Sequence, residues 1–342
     1  MDHSAKILIA GAGPAGLAAA LDLKRLGFSP HLIERNCADD ASNLRRGLIL
    51  RPRTLEMLAE TGVTDALIGA GQKITLLRIE EDGKALFKAD LSKIKSRYPF
   101  LLSLPEAEVI RILKHHFEML GGRVEYGLAV QNVRLENRRV IVNLSDGRTE
   151  DYDCLIGADG VQSTVRTALG IPFIGFEYPG GWSFRDVEAE DHRNIAVLNL
   201  LSEGQMRIRL PIGEGHLSVL ANVPLDGFTP LPVCVRRAKD VRRPGVFLTG
   251  NAAAAHGPFG GIGMGREIEE ALALARSLAD KDPAYPPPDG QRVLEASMLV
   301  FKWLRVQGRF SRFLRAYFLF LAEKVPGFRK KLLRPITGLE RP

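Results

Sequence analysis

Three glycines and one carboxylate near the start of the chain have the types and spacing to hold a phosphate-bearing ligand. In Gly11-Ala12-Gly13-Pro14-Ala15-Gly16, Gly11 permits a tight turn and Gly13 lets the backbone approach a pyrophosphate with no Cβ in the way. Gly16 lets a helix pack closely on the strand before it. A helix opening at Pro14 would aim unpaired N–H groups and the positive end of its dipole at the phosphates, so no basic side chain is required. Glu34, eighteen residues after Gly16, stands where a carboxylate accepts hydrogen bonds from ribose hydroxyls, with Arg35 beside it as a further candidate contact.

The flanking sequence supplies the elements this motif needs. Lys6 to Ala10 is a short apolar strand pattern, Leu17 to Leu26 reads as an Ala/Leu-rich helix, and Ser29 to Ile33 resumes a strand. That order is a parallel βαβ unit, and the fold class it predicts is α/β with a Rossmann-type nucleotide site. Thr54 to Thr61 and Glu106 to Leu120 have helical spacing. Val124 to Leu135 and Val140 to Leu144 alternate like strands around the turn Asp146-Gly147, which suggests a three-stranded antiparallel insert. Two further buried-strand runs end in glycine turns: Cys154 to Ala158 before Asp159-Gly160, and Val246 to Thr249 before Gly250-Asn251. Between them, Phe173 to Asp240 carries alternating runs such as Met206 to Leu210, read as an inserted β-rich layer for substrate.

Composition narrows the function classes. A chain of 342 residues with 45% hydrophobic composition can build a sizeable core. Cys37, Cys154 and Cys234 are odd in number and far apart, so neither a disulfide framework nor a metal site is expected and a reducing cytoplasm fits. The N-terminus reaches its first strand without the pattern of a signal peptide. The net charge of +7 is not spread along the chain: 292–342 holds twelve Lys or Arg against three acidic residues, a balance of +9 that leaves −2 for the rest. A basic groove running through the fold is not supported, whereas a basic surface confined to the C-terminal segment is, and nucleic acid is not an expected partner.

Asp153-Cys154-Leu155-Ile156-Gly157-Ala158-Asp159-Gly160-Val161-Gln162-Ser163-Thr164-Val165-Arg166 resembles the Asp-Gly motif of the single-component FAD-dependent aromatic hydroxylases, the p-hydroxybenzoate hydroxylase family of class A flavoprotein monooxygenases. Gly250 to Ala271 is similar to that family's second FAD motif, and Arg45-Arg46-Gly47 with Pro52 to Glu56 to its segment after the second strand. The resemblance spans residues 5 to 280, with a stretch between the last two motifs that is short for the family.

The resemblance implies FAD as cofactor and NADPH or NADH as a transient co-substrate. Asp159 and Gly160 would serve both, with Arg166 helping to hold the aspartate. The loop bearing Pro258, Gly260, Gly261, Gly263 and Met264 would lie against the flavin ring, and the helix it opens would stabilise negative charge on the reduced ring. Arg45 is the first choice for a pyrophosphate contact and Arg46 its competitor. Gly250 and Asn251 would meet the ribityl chain. The family has aspartate at Asn251, histidine at Ala254, glutamine at Ile262, asparagine at Gly265 and glutamine at Glu106. A neutral contact from Asn251 in place of a charge-assisted one weakens binding by about 1 kcal/mol.

The implied activity is hydroxylation of an aromatic or other electron-rich small molecule with NAD(P)H and O₂. The rivals are a flavin-dependent reductase of lipid or isoprenoid double bonds and a non-catalytic FAD-binding protein. No catalytic side chain is assigned. His256 is a candidate proton relay set against the commoner packed loop histidine, and Arg209 and His216 face either substrate or solvent.

Four domain segments follow. Residues 1–172 form the first part of the FAD-binding domain, with 78–99 contributing to the substrate layer. Residues 173–242 form the inserted substrate domain, 243–284 the second part of the FAD-binding domain, and 285–342 a basic helical segment. In this last segment Phe310, Phe313, Leu314 and Tyr317 fall at helical spacing beside the row Arg305, Arg309 and Arg312. The preferred expectation is a helix docking its apolar face on the FAD domain, the alternative a peripheral membrane contact through 300–335 at the inner face of a membrane. The apolar run Ala316 to Ala322 is far short of the roughly 20 residues a bilayer requires.

Overall fold

The run Ile7–Ala10 is buried at every position, as a strand covered on both faces must be. It lies inside a six-stranded sheet in the computed structural model, which describes residues 1–37, 47–177, 181–189, 194–213, 215–223, 227–231, 233–257, 263–280, 303–306 and 308–339. The strand order is Arg242–Arg243, Val246–Leu248, Cys154–Gly157, Ile7–Ala10, His31–Glu34, Val124–Tyr126. All neighbours run parallel except Arg242–Arg243, which closes one edge antiparallel.

Among the described residues the α-helices are α1 (Pro14–Arg25), α2 (Pro52–Leu58), α3 (Thr64–Ala70), α4 (Glu106–Met119), α5 (Thr164–Ala168), α6 (Gly263–Ala279), α7 (Arg309–Lys324) and α8 (Pro326–Thr337). Because side chains alternate along a strand, the central sheet sorts its residues between two cores. Ile7, Ile9, Cys154 and Ile156 pack with α1, α4 and α6. Leu8, Ala10 and Leu155 pack with Val133, Val140, Val142 and Leu144 of an antiparallel sheet. Asp22, fully buried on α1, accepts from Arg25 at 2.7 Å and from Arg276 of α6 at 3.0 Å, so the two helices share a buried charge that is paired.

The antiparallel sheet is Val130–Glu136, Arg139–Leu144 and Thr149–Tyr152. Val124–Tyr126, which the sequence alternation joined to it, pairs parallel with His31–Glu34 instead. A strand of three residues carries too little alternation to show which sheet it enters.

A seven-stranded sheet forms the second layer, in the order Thr229–Leu231, Trp182–Glu188, His216–Ala221, Met206–Gly213, Ile195–Leu200, Leu76–Glu81, Lys84–Asp90. Ile195–Leu200 and Leu76–Glu81 run parallel, and the other neighbours are antiparallel. Phe173–Glu177 and Cys234–Ala238 lie apart from that sheet: they pair with each other, and Cys234–Ala238 pairs on its other side with Ala254–Ala255. Gly47–Leu50, Leu101–Pro105 and Gln72–Ile74 form a further three-stranded sheet, tied to the seven-stranded one by the backbone N–H of Gly47, which donates to the buried Ser218 Oγ at 3.1 Å. A Cβ at Gly47 would sit 2.6 Å from both Ile212 and Ser218, so this contact needs glycine.

The C-terminal helices correct the preferred sequence expectation. α7 packs on Lys84–Asp90 through Leu319 and Ala322, which join Phe87 and Ala89 in one core cluster. Phe310, Phe313, Leu314 and Tyr317 are on the other side, exposed. The buried side is held by charge: Arg315 donates to the carbonyl oxygens of Leu304 at 2.7 Å and Val306 at 3.3 Å and pairs with Glu81. Arg312 pairs with Asp82 and Glu81, so the basic row read from spacing is not a row of free cations. Among the described residues no helix is long and apolar enough to cross a membrane.

Candidate functional site

Three neighbouring parallel strands end at the same edge of the sheet, and each runs into a glycine turn. Gly11 follows Ile7–Ala10 with φ +103°, and a Cβ there would lie 2.4 Å from the Ala158 carbonyl oxygen. A Cβ at Gly16 would lie 1.8 Å from the Gly11 carbonyl oxygen, while one at Gly13 would meet nothing within 4 Å. Gly11 and Gly16 are therefore required by the fold, whereas Gly13 borders open space of the kind a pyrophosphate could enter. α1 starts there with Gly13 as N-cap, Pro14 at its first position and no side chain capping its N–H groups. Pro14, Ala15 and Gly16 are buried, so an anion is the natural partner for those donors.

Glu34 ends the second strand beside this turn. Its Oε2 accepts from the Ala12 N–H at 2.8 Å and its Oε1 from the Asn36 N–H at 3.0 Å. Both oxygens keep lone pairs for ribose hydroxyls. A cleft of about 180 Å³ opens here, lined by Gly11, Gly13, Glu34, Arg35, Asp159 and Gly160.

In the Asp-Gly turn, Asp159 Oδ2 accepts from the Val165 N–H at 3.1 Å, while Oδ1 is inaccessible and has no partner among the described residues. A buried carboxylate oxygen left this way is costly. Arg166 does not hydrogen-bond the aspartate. Its Nη1 donates to the Ala252 carbonyl oxygen at 3.0 Å and its Nη2 to that of Val161 at 2.7 Å, with Phe173 against its face at 3.8 Å. The guanidinium joins the second turn to the third, and burial lowers its pKa.

At the third turn, Gly250 takes φ +58° and its Cβ would lie 2.7 Å from that of Ala15, which brings this turn against the start of α1. Asn251 beside it is half-buried. Gly263 and Met264 open α6, Met264 buried. Arg45, Arg46, Pro258, Gly260, Gly261 and Ile262 lie outside the described residues. His256 is half-buried as a residue, and its Nε2 is inaccessible and has no partner among the described residues. Burial, with Arg266 and Arg51 adding to it, pushes its pKa down to about 3, so the imidazole is neutral at ordinary pH. Of the inserted-strand candidates, Arg209 lies 3.6 Å from Glu80.

A larger cavity, about 390 Å³, lies away from the three turns, between α6, the start of α2 and the end of α8. Arg51, Arg53, Arg266, Arg334, Glu269 and Glu270 line it. Arg51 is buried, pairs with Glu269 and donates to the Pro335 carbonyl oxygen at 3.1 Å, while Thr54 donates to Glu269 at 2.5 Å. Burial pushes Glu270 up to about 7 against the opposing pull of Arg266. Sequence reading missed this cluster. Its one signal was two consecutive glutamates between the buried Ile268 and Ala271 of an amphipathic helix. The nucleotide cleft is the smaller space, yet it holds the uncapped helix start and both oxygens of Glu34 at its wall.

Strand, glycine turn, helix and carboxylate in this arrangement define a Rossmann-type dinucleotide-binding fold. The chain belongs to the FAD binding domain family, which matches it over residues 4–216 and 205–281. It is 29% identical to 6-methylpretetramide 4-monooxygenase of Streptomyces rimosus over 312 residues, 80% of this chain and 56% of that protein. It is also 29% identical to pentachlorophenol 4-monooxygenase of Sphingobium chlorophenolicum over 326 residues, 83% of this chain and 60% of that protein. The chain thus spans between 56% and 65% of the length of the first curated relatives it matches. Among solved structures, p-nitrophenol 4-monooxygenase from Pseudomonas putida DLL-E4 superposes with a TM-score of 0.87 at 19% identity, covering 98% of this chain and 99% of that one, a likeness of fold.

Proposed function

We propose that the protein is an FAD-dependent monooxygenase that uses NADPH or NADH and O₂ to hydroxylate an aromatic or other electron-rich small molecule. The observation that carries this reading is the convergence of the turns at Gly11, Asp159 and Gly250 on one strand-end edge, two of them tied by Arg166. When bound, FAD supplies the redox chemistry, accepting a hydride and activating O₂. The chain's own residues bind and orient it. The α1 N-terminus with Gly13, Pro14, Ala15 and Gly16 takes the pyrophosphate. Glu34 takes the adenosine ribose, with Arg35 at the cleft wall. Asp159 and Gly160 take a hydroxyl in the cleft, Gly250 and Asn251 the ribityl chain, and the α6 N-terminus with Gly263 and Met264 the ring edge. Arg45 or Arg46, and the loop with Pro258, Gly260 and Gly261, complete the site in this reading. His256 enters only as a neutral hydrogen-bonding group.

The domain assignment is part of the same proposal: 1–172 and 243–284 bind FAD, 173–242 with 78–99 shapes the substrate layer, and 285–342 is a basic helical segment. The enzyme acts in the cytoplasm on a small aromatic partner, with 300–335 as a peripheral contact at the inner face of a membrane.

Titrating the apo-protein with FAD while recording its visible spectrum tests the binding half. Flavin bands with saturable quenching are expected, and no flavin uptake at excess FAD would contradict the reading. Asn251 favours a second reading, an FAD-binding protein without oxygenase turnover, which predicts flavin bands and no substrate-stimulated NAD(P)H oxidation.

A further inference from the structure

We infer that the outer face of α7, with the basic turns of α8, docks the protein on an anionic bilayer surface. This rests on the reading of 300–335 as a peripheral contact and not on the flavin chemistry. Phe310, Phe313, Leu314, Tyr317 and Phe320 recur at three- and four-residue steps and so share one side of the helix. They are 73%, 64%, 48%, 53% and 53% exposed, whereas Arg315, Leu319 and Ala322 on the opposite side are buried. Phe318 and Phe328 extend the exposed strip onto α8, in edge contact at 6.0 Å. Scattered exposed apolar residues are ordinary, but a continuous aromatic strip marks a surface that meets something.

Charge says what that something is. Arg309, Lys330 and Lys331 are exposed and have no ion-pair partner among the described residues. The acidic residues Glu81 and Asp82 beneath the helix are already taken by Arg312 and Arg315. A second copy on this face would bring the exposed cations Arg309, Lys330 and Lys331 against their own counterparts, so self-association there is electrostatically opposed. An anionic headgroup layer answers both features, because aromatic rings settle at the interface while Lys and Arg meet the lipid phosphates. The buried ties of Arg315 to Leu304, Val306 and Glu81 hold the helix on the protein, so the strip is presented without local unfolding.

The test is flotation of the full chain, incubated with excess FAD, with vesicles of phosphatidylcholine alone or mixed with phosphatidylglycerol. The mixed vesicles should carry the protein, added salt should weaken the association, and neutral vesicles should leave it behind. Phe310→Ser with Phe313→Ser, and separately Lys330→Glu with Lys331→Glu, should each lower partitioning at least about tenfold. All four positions are exposed, and circular dichroism of each variant establishes that it remains folded. No flotation with the mixed vesicles, equal flotation with neutral ones, or a dimer in sedimentation velocity that the Phe variants dissolve would overturn the inference. The flavin spectrum separates the two readings: flavin-loaded protein that fails to float sinks this one alone, and floating protein that takes up no flavin sinks the other.

Discussion

Arg166 donates to the carbonyl oxygen of Ala252 at 3.0 Å, a buried hydrogen bond that fixes the distance between the second and third strand-end turns. The same guanidinium donates to the Val161 carbonyl oxygen, so one side chain ties the end of the Asp-Gly turn to the turn at Gly250. A methionine at this position fills similar space and leaves two carbonyls without their donor. Arg166→Met should cost about 2–4 kcal/mol of stability and weaken FAD binding roughly tenfold or more, read from thermal unfolding and flavin titration. Lysine, a point donor, should not rescue both carbonyls. Unchanged melting and affinity would remove Arg166 from the account.

The glycines of the first turn differ in what they do, and substitution should separate them. Gly16→Ala drives a Cβ into the Gly11 carbonyl oxygen and should destabilise the apo-protein by several kcal/mol, on the order of 3. Gly13→Ala has free space around it and should leave apo stability within about 1 kcal/mol while weakening FAD binding at least tenfold. Chemical denaturation of the apo-proteins and FAD titration of the folded ones read the two effects independently.

Glu270 makes stability depend on pH. Its pKa rises from the ordinary 4.5 to about 7 on folding, so between those values the native state holds a proton that the unfolded state has released. The stability contribution is full below pH 4.5 and is lost as pH rises through about 7, with an upper bound near 3 kcal/mol. His256 works in the opposite direction: with its pKa pushed down to about 3 from 6.5, its contribution is present above 6.5 and lost as pH falls toward 3. Glu270→Gln keeps the side chain neutral and leaves His256 in place. The unfolding free energy of that variant relative to the parent should therefore rise by roughly 2–3 kcal/mol between pH 4.5 and 8. A flat difference across that range would contradict the assignment.

The nucleotide turn was legible because each of its residues is dictated locally: a strand, a left-handed or crowded glycine, a helix start and a strand-end carboxylate follow one another in 34 residues. The Asp-Gly and Gly-Asn turns were legible as strand ends. Arg166 was singled out for the aspartate, and its true partners, Ala252 and Val161, depend on how two distant turns meet, which no spacing encodes. Val124–Tyr126 was placed in the wrong sheet for the same reason, since a short strand is assigned by its neighbours. The apolar periodicity of α7 was read correctly as a helix face and wrongly as a buried one. Periodicity shows that a face exists, and the opposite side of this helix buries Arg315 with Leu319 because Glu81 waits beneath it. The cluster of Arg51, Glu269 and Glu270 assembles from separate segments and had no local signature beyond two adjacent glutamates.

The central claim is oxygen insertion, and isotope transfer tests it most directly. The FAD-loaded protein would be given NADPH or NADH and a panel of phenols under ¹⁸O₂, with reduced cofactor and O₂ consumption followed together. The account predicts substrate-stimulated uptake of both and a hydroxylated product carrying ¹⁸O from the gas. Turnover that proceeds without O₂, or a flavin-loaded protein whose cofactor oxidation no substrate accelerates, would contradict it.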